Sequence, residues 1–172
     1  YTDLGPSSRM RTFQYLQYYK DAGIEYAVQP FFNDLYLKGF YNGKRNYVNV
    51  VFCYLKRLAL FFTVIKYDKI YIEKELFPYF PSIFESLLSI LKKKYIVDYD
   101  DAIFHNYDRS TQFLVKGLLK NKIDNVMKNA DVVIVGNEYL AKRALGAGAK
   151  RIEIIPTVID LRVVRNELIG KN

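Results

Sequence analysis

Short apolar runs of strand length alternate with helix-length segments along this chain, and that alternation restricts the fold more than any other feature. Asp131-Val-Val-Ile-Val135 reads as a buried strand. Strands are also predicted at Ile24–Gln29, Lys69–Glu73, Tyr95–Tyr99 and Arg151–Ile155, each bounded by breakers or polar residues. Helices are predicted from Ser7 and Ser8 to about Ala22, over Tyr47–Ile65, from Ser82 to about Leu91, from Ser110 to about Lys128, and from Asn137 to Gly146. Phe31–Asn46, with Gly39 and Gly43, reads as a loop holding at most one helical turn. Strands alternating with helices imply βαβ units and a parallel sheet covered on both faces. The expected fold is therefore α/β: a Rossmann-like, doubly wound parallel sheet with helices on both faces. In such a fold a central strand precedes the first helix, so a strand is expected ahead of Tyr1. Residues 1–160 then form one domain, and 161–172 a linker or terminal helix.

Composition bounds the function. With 172 residues, of which 51% are hydrophobic, the chain can bury a substantial core. A single cysteine, Cys53, excludes a disulfide framework and fits a reducing compartment such as the cytoplasm. The balance of 26 Lys and Arg against 18 Asp and Glu gives a net charge of +8, which attracts anionic partners. The basic residues are dispersed and no nucleic-acid motif is present, so a nucleic-acid partner is not expected. The most apolar stretch, Tyr47–Ile65, is interrupted by Lys56 and Arg57 and is too broken for a spanning helix. It reads as a buried or interfacial helix, and with Lys38, Lys44 and Arg45 before it, an anionic membrane surface is a candidate partner.

The chemistry concentrates after the Tyr95–Tyr99 strand, where Asp98, Asp100 and Asp101 are followed by the one histidine, His105. In open α/β sheets ligands bind outside the carboxyl ends of strands, at the point where strand order reverses. Asp100 and Asp101 are the candidate catalytic residues, because carboxylates there can hydrogen-bond sugar hydroxyls, act as a base or hold a hard cation. No metal-ligand set is assigned. Gly5, Ser7 and Ser8, at the start of the first helix, face the same crevice in this reading and are candidates for anion binding. Arg9 and Arg11 lie about 200° apart on that helix, so at most one points inward, and Arg9 is favoured. His105, Asn137 and Tyr139 complete the candidate substrate-binding set. Asn137 also reads as a helix cap, and Ser7 and Ser8 likewise.

These stretches in their order resemble the first domain of a bacterial glycosyltransferase of family four, which has the GT-B fold. Gly5-Pro-Ser-Ser-Arg-Met-Arg11 is similar to that family's loop into its first helix. Tyr67–Glu75 is similar to its Asp-led strand, and Ala130–Leu140 to its strand-then-Asn helix start. Ile154-Ile-Pro-Thr-Val-Ile-Asp160 is similar to the stretch leaving its first domain, although Thr157-Val158 stands where the family has Asn-Gly. The family often carries a histidine where Asp100 or Asp101 falls here. The resemblance implies the acceptor-binding half of a retaining glycosyltransferase in polysaccharide or glycolipid synthesis. Its partner would be a sugar or lipid-linked acceptor, at the inner membrane face. It implies no cofactor in this domain, with the nucleotide sugar donor bound by a second domain absent from this chain. This half alone would be inactive. The rival expectation is a non-enzymatic, flavodoxin-like regulatory or ligand-binding domain.

Overall fold

A computed structural model of the protein describes residues 2–43 and 46–158. Residues 159–172, which include the expected linker, lie outside the described residues, as do Lys44 and Arg45. The order of elements is α1 (Pro6–Arg11), α2 (Leu16–Asp21), α3 (Asp34–Tyr41), α4 (Tyr47–Phe61), β1 (Lys69–Glu73), α5 (Ile83–Ile90), β2 (Lys94–Tyr99), α6 (His105–Asp108), α7 (Phe113–Leu119), α8 (Lys122–Asn129), β3 (Val132–Val135), α9 (Glu138–Ala147) and β4 (Ile152–Ile154). The four strands form one all-parallel sheet in the order β1-β2-β3-β4.

Register explains which side chains meet. Glu73 lies beside Asp98, and Val97 beside Val133. Because side chains alternate across a strand, one sheet face presents Ile72, Tyr95, Val97, Tyr99, Val133 and Val135. These join one apolar cluster with Leu88 of α5, Val126 and Met127 of α8, and Leu140 and Ala144 of α9. The Tyr95 hydroxyl, carried into this cluster, donates to the carbonyl of Val126 at 2.7 Å. The opposite face presents Tyr71, Glu73 and Asp98, and α1 lies over it. One face is therefore covered by α5, α8 and α9, while on the other α1 lies only over the Glu73 and Asp98 end. Tyr71 is 38% exposed and Ile96 and Ile134 are half-buried, so the expected cover of the second face is partial among the described residues.

Several expectations are corrected. Ile24–Gln29 is not a strand: Ile24 and Tyr26 are exposed, and Tyr26 packs edge-on against Tyr19 instead of pairing in the sheet. β1 pairs directly with β2 along its length. The start of α1 and the end of β2 nevertheless meet, through Ser7, Lys74, Asp100 and Asp101. The first helix breaks at Thr12 into α1, a 3-10 turn and α2. Ser7 and Ser8 do not cap it: Gly5 is the capping residue, with Pro6 fixing the first turn. Phe31–Asn46 holds a two-turn helix, α3, because the Asn33 side chain accepts from the Tyr36 N–H and caps it. The segment expected as one helix over Ser110–Lys128 divides into α7 and α8.

The core and the surface of this fold respond differently to the same truncation. Leu88→Ala, at a fully buried α5 position, is expected to cost about 2–5 kcal/mol in urea unfolding. Leu55→Ala, on an exposed face of α4, should stay within about 0.5 kcal/mol. Similar losses for both would contradict this assignment of faces.

Candidate functional site

The carboxyl ends of β1 and β2 end in charge. β1 runs Glu73-Lys74-Glu75 and β2 runs Asp98-Tyr99-Asp100-Asp101. Alternation sends Glu73, Asp98 and Asp100 to the α1 side and Tyr99 into the core. Asp98 is buried, and its carboxylate is met by a matching fork: Arg11 Nε donates to Oδ2 at 3.0 Å and Arg11 Nη2 to Oδ1. The Tyr71 hydroxyl donates to the same carboxylate. Arg11 Nη1 donates to the carbonyl of Ile155, just past β4, at 2.5 Å. Burial opposes the Arg11 charge, but Asp98 outweighs it and holds the guanidinium above its ordinary range. For Tyr71, burial and then Asp98 push the phenol well up, so it stays a donor.

Two further bonds fasten α1. Ser8 donates to Glu73 Oε1 at 2.8 Å, and Thr12 to Glu73 Oε2 at 3.2 Å. Ser8 is fully buried. Ser8 and Arg11 thus serve the anchoring of α1, and Arg11 is the arginine that points inward. Arg9, the favoured candidate, is exposed. Gly5 and Pro6 begin a helix of only six residues, too short to serve as an anion cradle.

Above this anchor sits a partly open polar cluster. Lys74 leaves β1 with a left-handed backbone, φ +65°, which is held by its N–H donating to the carbonyl of Asp98 at 2.9 Å. Non-glycine residues in this region are strained and gather at functional sites. The turn aims the Lys74 ammonium at Asp101 Oδ2, 2.7 Å away, at Asp100 Oδ1, 3.0 Å away, and at the Ser7 hydroxyl, 3.3 Å away. Burial lowers the Lys74 pKa, but Asp101 and Asp100 outweigh it and raise it. Burial likewise works against the Asp100 charge, but the Ser7 hydroxyl and Lys74 prevail and hold the carboxyl below its ordinary range. Asp101 is half exposed, with 55% of its side chain open to solvent. Gly136, after β3, closes the back: a Cβ there would lie 3.5 Å from the Asp100 backbone, in ordinary contact.

His105, Asn137 and Tyr139 gather to one side. His105 Nε2 is 2.7 Å from the Tyr139 hydroxyl and Nδ1 is 2.8 Å from Asp108 Oδ1. Arg143 bonds Asp108 and takes Asp124 in a two-pronged pair. Burial raises the Asp108 pKa, but His105 and Arg143 outweigh it and lower it. Asn137 is spent as the cap of α9, accepting the Leu140 N–H at 3.0 Å. The structure thus brings Ser7, Asp100 and Asp101 into one cluster and His105 with Tyr139 into another. It assigns Ser8 and Asn137 to structural bonds.

Sequence reading missed Lys74. The same rule that singled out Asp100, chemistry at a strand's carboxyl end, applies equally to β1. It also missed the support beneath Lys74. Burial favours an uncharged Glu85, whose Oε1 accepts the Leu76 N–H. Lys122 bonds Glu75, and at 2.7 Å the carbonyl of Phe77. The Tyr107 hydroxyl donates to Glu75 at 2.6 Å. These bonds pin the loop after β1 from the core side. Among the described residues no group of three or more His, Cys, Asp or Glu is placed to hold a metal ion.

A cleft of about 240 Å³ opens beside Ser7, lined by Gly5, Pro6, Ser7, Leu37, Phe40 and Tyr41. Its α3 wall is apolar and aromatic, and Ser7 is the lining residue it shares with the polar cluster. Comparison with protein-family models, curated proteins and solved structures finds no match to this chain, so the site is read from its own chemistry.

The depressed Asp100 pKa fixes a sign. Its carboxylate stabilises the fold fully above the unfolded value of ~4, and that contribution is lost as pH falls through the lower folded value. Asp100→Asn should therefore cost about 1–2 kcal/mol at pH 7, and the difference from wild type should shrink as pH drops from ~5 towards ~2. Urea titrations across that range check it; a pH-independent difference would contradict the ionised pairing.

Proposed function

We propose that this chain is the acceptor-binding half of a retaining, nucleotide-sugar-dependent glycosyltransferase that extends a polysaccharide or glycolipid. The observation that carries the reading is the adjacency of the Ser7–Lys74–Asp100–Asp101 cluster to the aromatic cleft of α3. Sugars are bound by this combination: carboxylates accept hydrogen bonds from hydroxyls, and aromatic rings cover the apolar faces of the ring. An acceptor with both a sugar and an apolar part suits a cleft whose wall is Leu37, Phe40 and Tyr41.

The carboxylates divide the work. Asp100, held ionised and below its ordinary range, is a poor proton acceptor and a good hydrogen-bond acceptor. Its role is to orient the acceptor. Asp101, the more open of the two, is the group we assign to the reacting hydroxyl. Lys74 supplies positive charge beside the bond that breaks. In the reaction, the bond between the donor's anomeric carbon and its phosphate oxygen breaks. The acceptor oxygen takes that carbon from the face the phosphate leaves, which retains the configuration, and the hydroxyl proton passes by way of Asp101 to the leaving phosphate or to solvent. The donor would be held by a second Rossmann-like domain outside this chain, which this domain would face across a cleft. No helix among the described residues is long and apolar enough to cross a membrane.

A ligand-binding domain without catalysis would use the same cleft and cluster, and the two readings part on turnover. The full-length protein, given radiolabelled nucleotide sugars and lipid-linked or free sugar acceptors, should transfer label. Asp101→Asn should lower kcat by about 10²-fold or more, with a smaller effect on acceptor KM. Asp100→Asn should raise KM more than it lowers kcat. Acceptor binding without transfer from any nucleotide sugar would favour the non-enzymatic domain; transfer indifferent to both substitutions would overturn the site.

A further inference from the structure

Helix α4 faces outward with the wrong side for a water-exposed helix. At 100° per residue, Val48, Val51, Phe52, Leu55, Leu58 and Phe62 fall within an arc of roughly 120°. All are exposed, Val48 at 81% and Phe62, which caps the helix, at 71%. The opposite side carries Cys53 and Phe61, both buried in the core, and Tyr54, whose hydroxyl donates to the carbonyl of Pro78. Arg57 also turns inward: it donates to the carbonyl of Gln29 at 2.6 Å and lies over the Phe31 ring. The exposed arc therefore holds no charge over a helix of 15 residues, about 22 Å long. Contiguous apolar surface of this extent marks an interaction face.

Charge selects the partner. From Leu35 to Tyr67 the chain has no Asp or Glu, and it carries Lys38, Lys44, Arg45, Lys56, Arg57 and Lys66. Lys56 flanks the apolar arc and is exposed, as are Lys38 and Lys66. An apolar stripe edged by cations, with tyrosines near its ends at Tyr47 and Tyr67, has the chemistry of a helix lying in a lipid interface. A second copy of this chain fits worse. Two-fold packing of one face on itself would bring the same cations together.

We infer that the exposed face of α4 docks on the surface of an anionic lipid bilayer, with its axis in the plane of the membrane. The inference stands on α4 alone and does not depend on the reading of the polar site.

The chain contains no tryptophan, so Phe62→Trp provides a single reporter on this face, and Leu145→Trp, exposed on α9, provides one away from it. Vesicles of equal parts phosphatidylglycerol and phosphatidylcholine should blue-shift the emission of F62W but not of L145W. Pure phosphatidylcholine should give little shift, and added salt should weaken the response. Adding Val51→Glu and Leu55→Glu to F62W should weaken vesicle binding by at least about tenfold, while Lys56→Gln and Lys66→Gln should each weaken it about fivefold. Circular dichroism and urea midpoints confirm that the variants fold. No shift, an equal shift with uncharged vesicles, or indifference to V51E and L55E would overturn the proposal. So would a concentration-dependent dimer, without lipid, that V51E and L55E abolish.

Discussion

A carboxylate in the middle of a parallel sheet is the constraint on which this structure turns. Asp98 belongs to β2, paired on both sides, and is buried. A charge placed there without a partner costs several kcal/mol. Arg11 and Tyr71 meet it, and the same arginine reaches past β4 to Ile155. One guanidinium thus ties the N-terminal helix to the centre and far edge of the sheet. The ion pair is weak evidence for net stability, since a well-packed apolar pair can do as well. Its consequence here is positional. With Arg11 fixed and Ser8 and Thr12 on Glu73, Ser7 stands where it reaches Lys74 and Asp100.

The strands were legible because their evidence is local. Lys69–Glu73, Tyr95–Tyr99, Asp131–Val135 and Arg151–Ile155 carry the apolar signal of buried parallel strands, and four sheet strands lie there. Ile24–Gln29 carries a similar alternation, but a strand needs a neighbour, and nothing in the segment specifies one. Its apolar residues stay on the surface, with Tyr26 against Tyr19. Helix α3 was hidden by Gly39 and Gly43, and the Asn33 cap that starts it was not recognised in the sequence. Strand order was beyond the sequence too, since the direct pairing of β1 with β2 is a long-range fact.

The site was half legible for the same reason. The spacing of Arg9 and Arg11 dictates that only one faces inward, and it says nothing about which. The partner that decides, Asp98, is 87 positions away in sequence. The acidic run after β2 was visible as a functional cluster, whereas its counter-ion on β1 was not. Lys74 becomes part of the cluster only through parallel register and a left-handed turn. Tyr139 and His105 were named separately, and the structure joins them at 2.7 Å. Helix α4 shows the reverse case. Its sequence permits either a buried or an interfacial helix, and only the packing of Cys53 and Phe61 settles which side is left outside.

The central claim is that Arg11 and Asp98 act as one unit that sets α1 over the sheet. A double-mutant cycle measures this directly. Arg11→Met and Asp98→Leu should each cost about 3–5 kcal/mol in urea unfolding, because each strands a buried charge. The double variant should lose far less than the sum, with a coupling of about 2 kcal/mol or more. Additive losses, with no coupling between the two positions, would contradict the account.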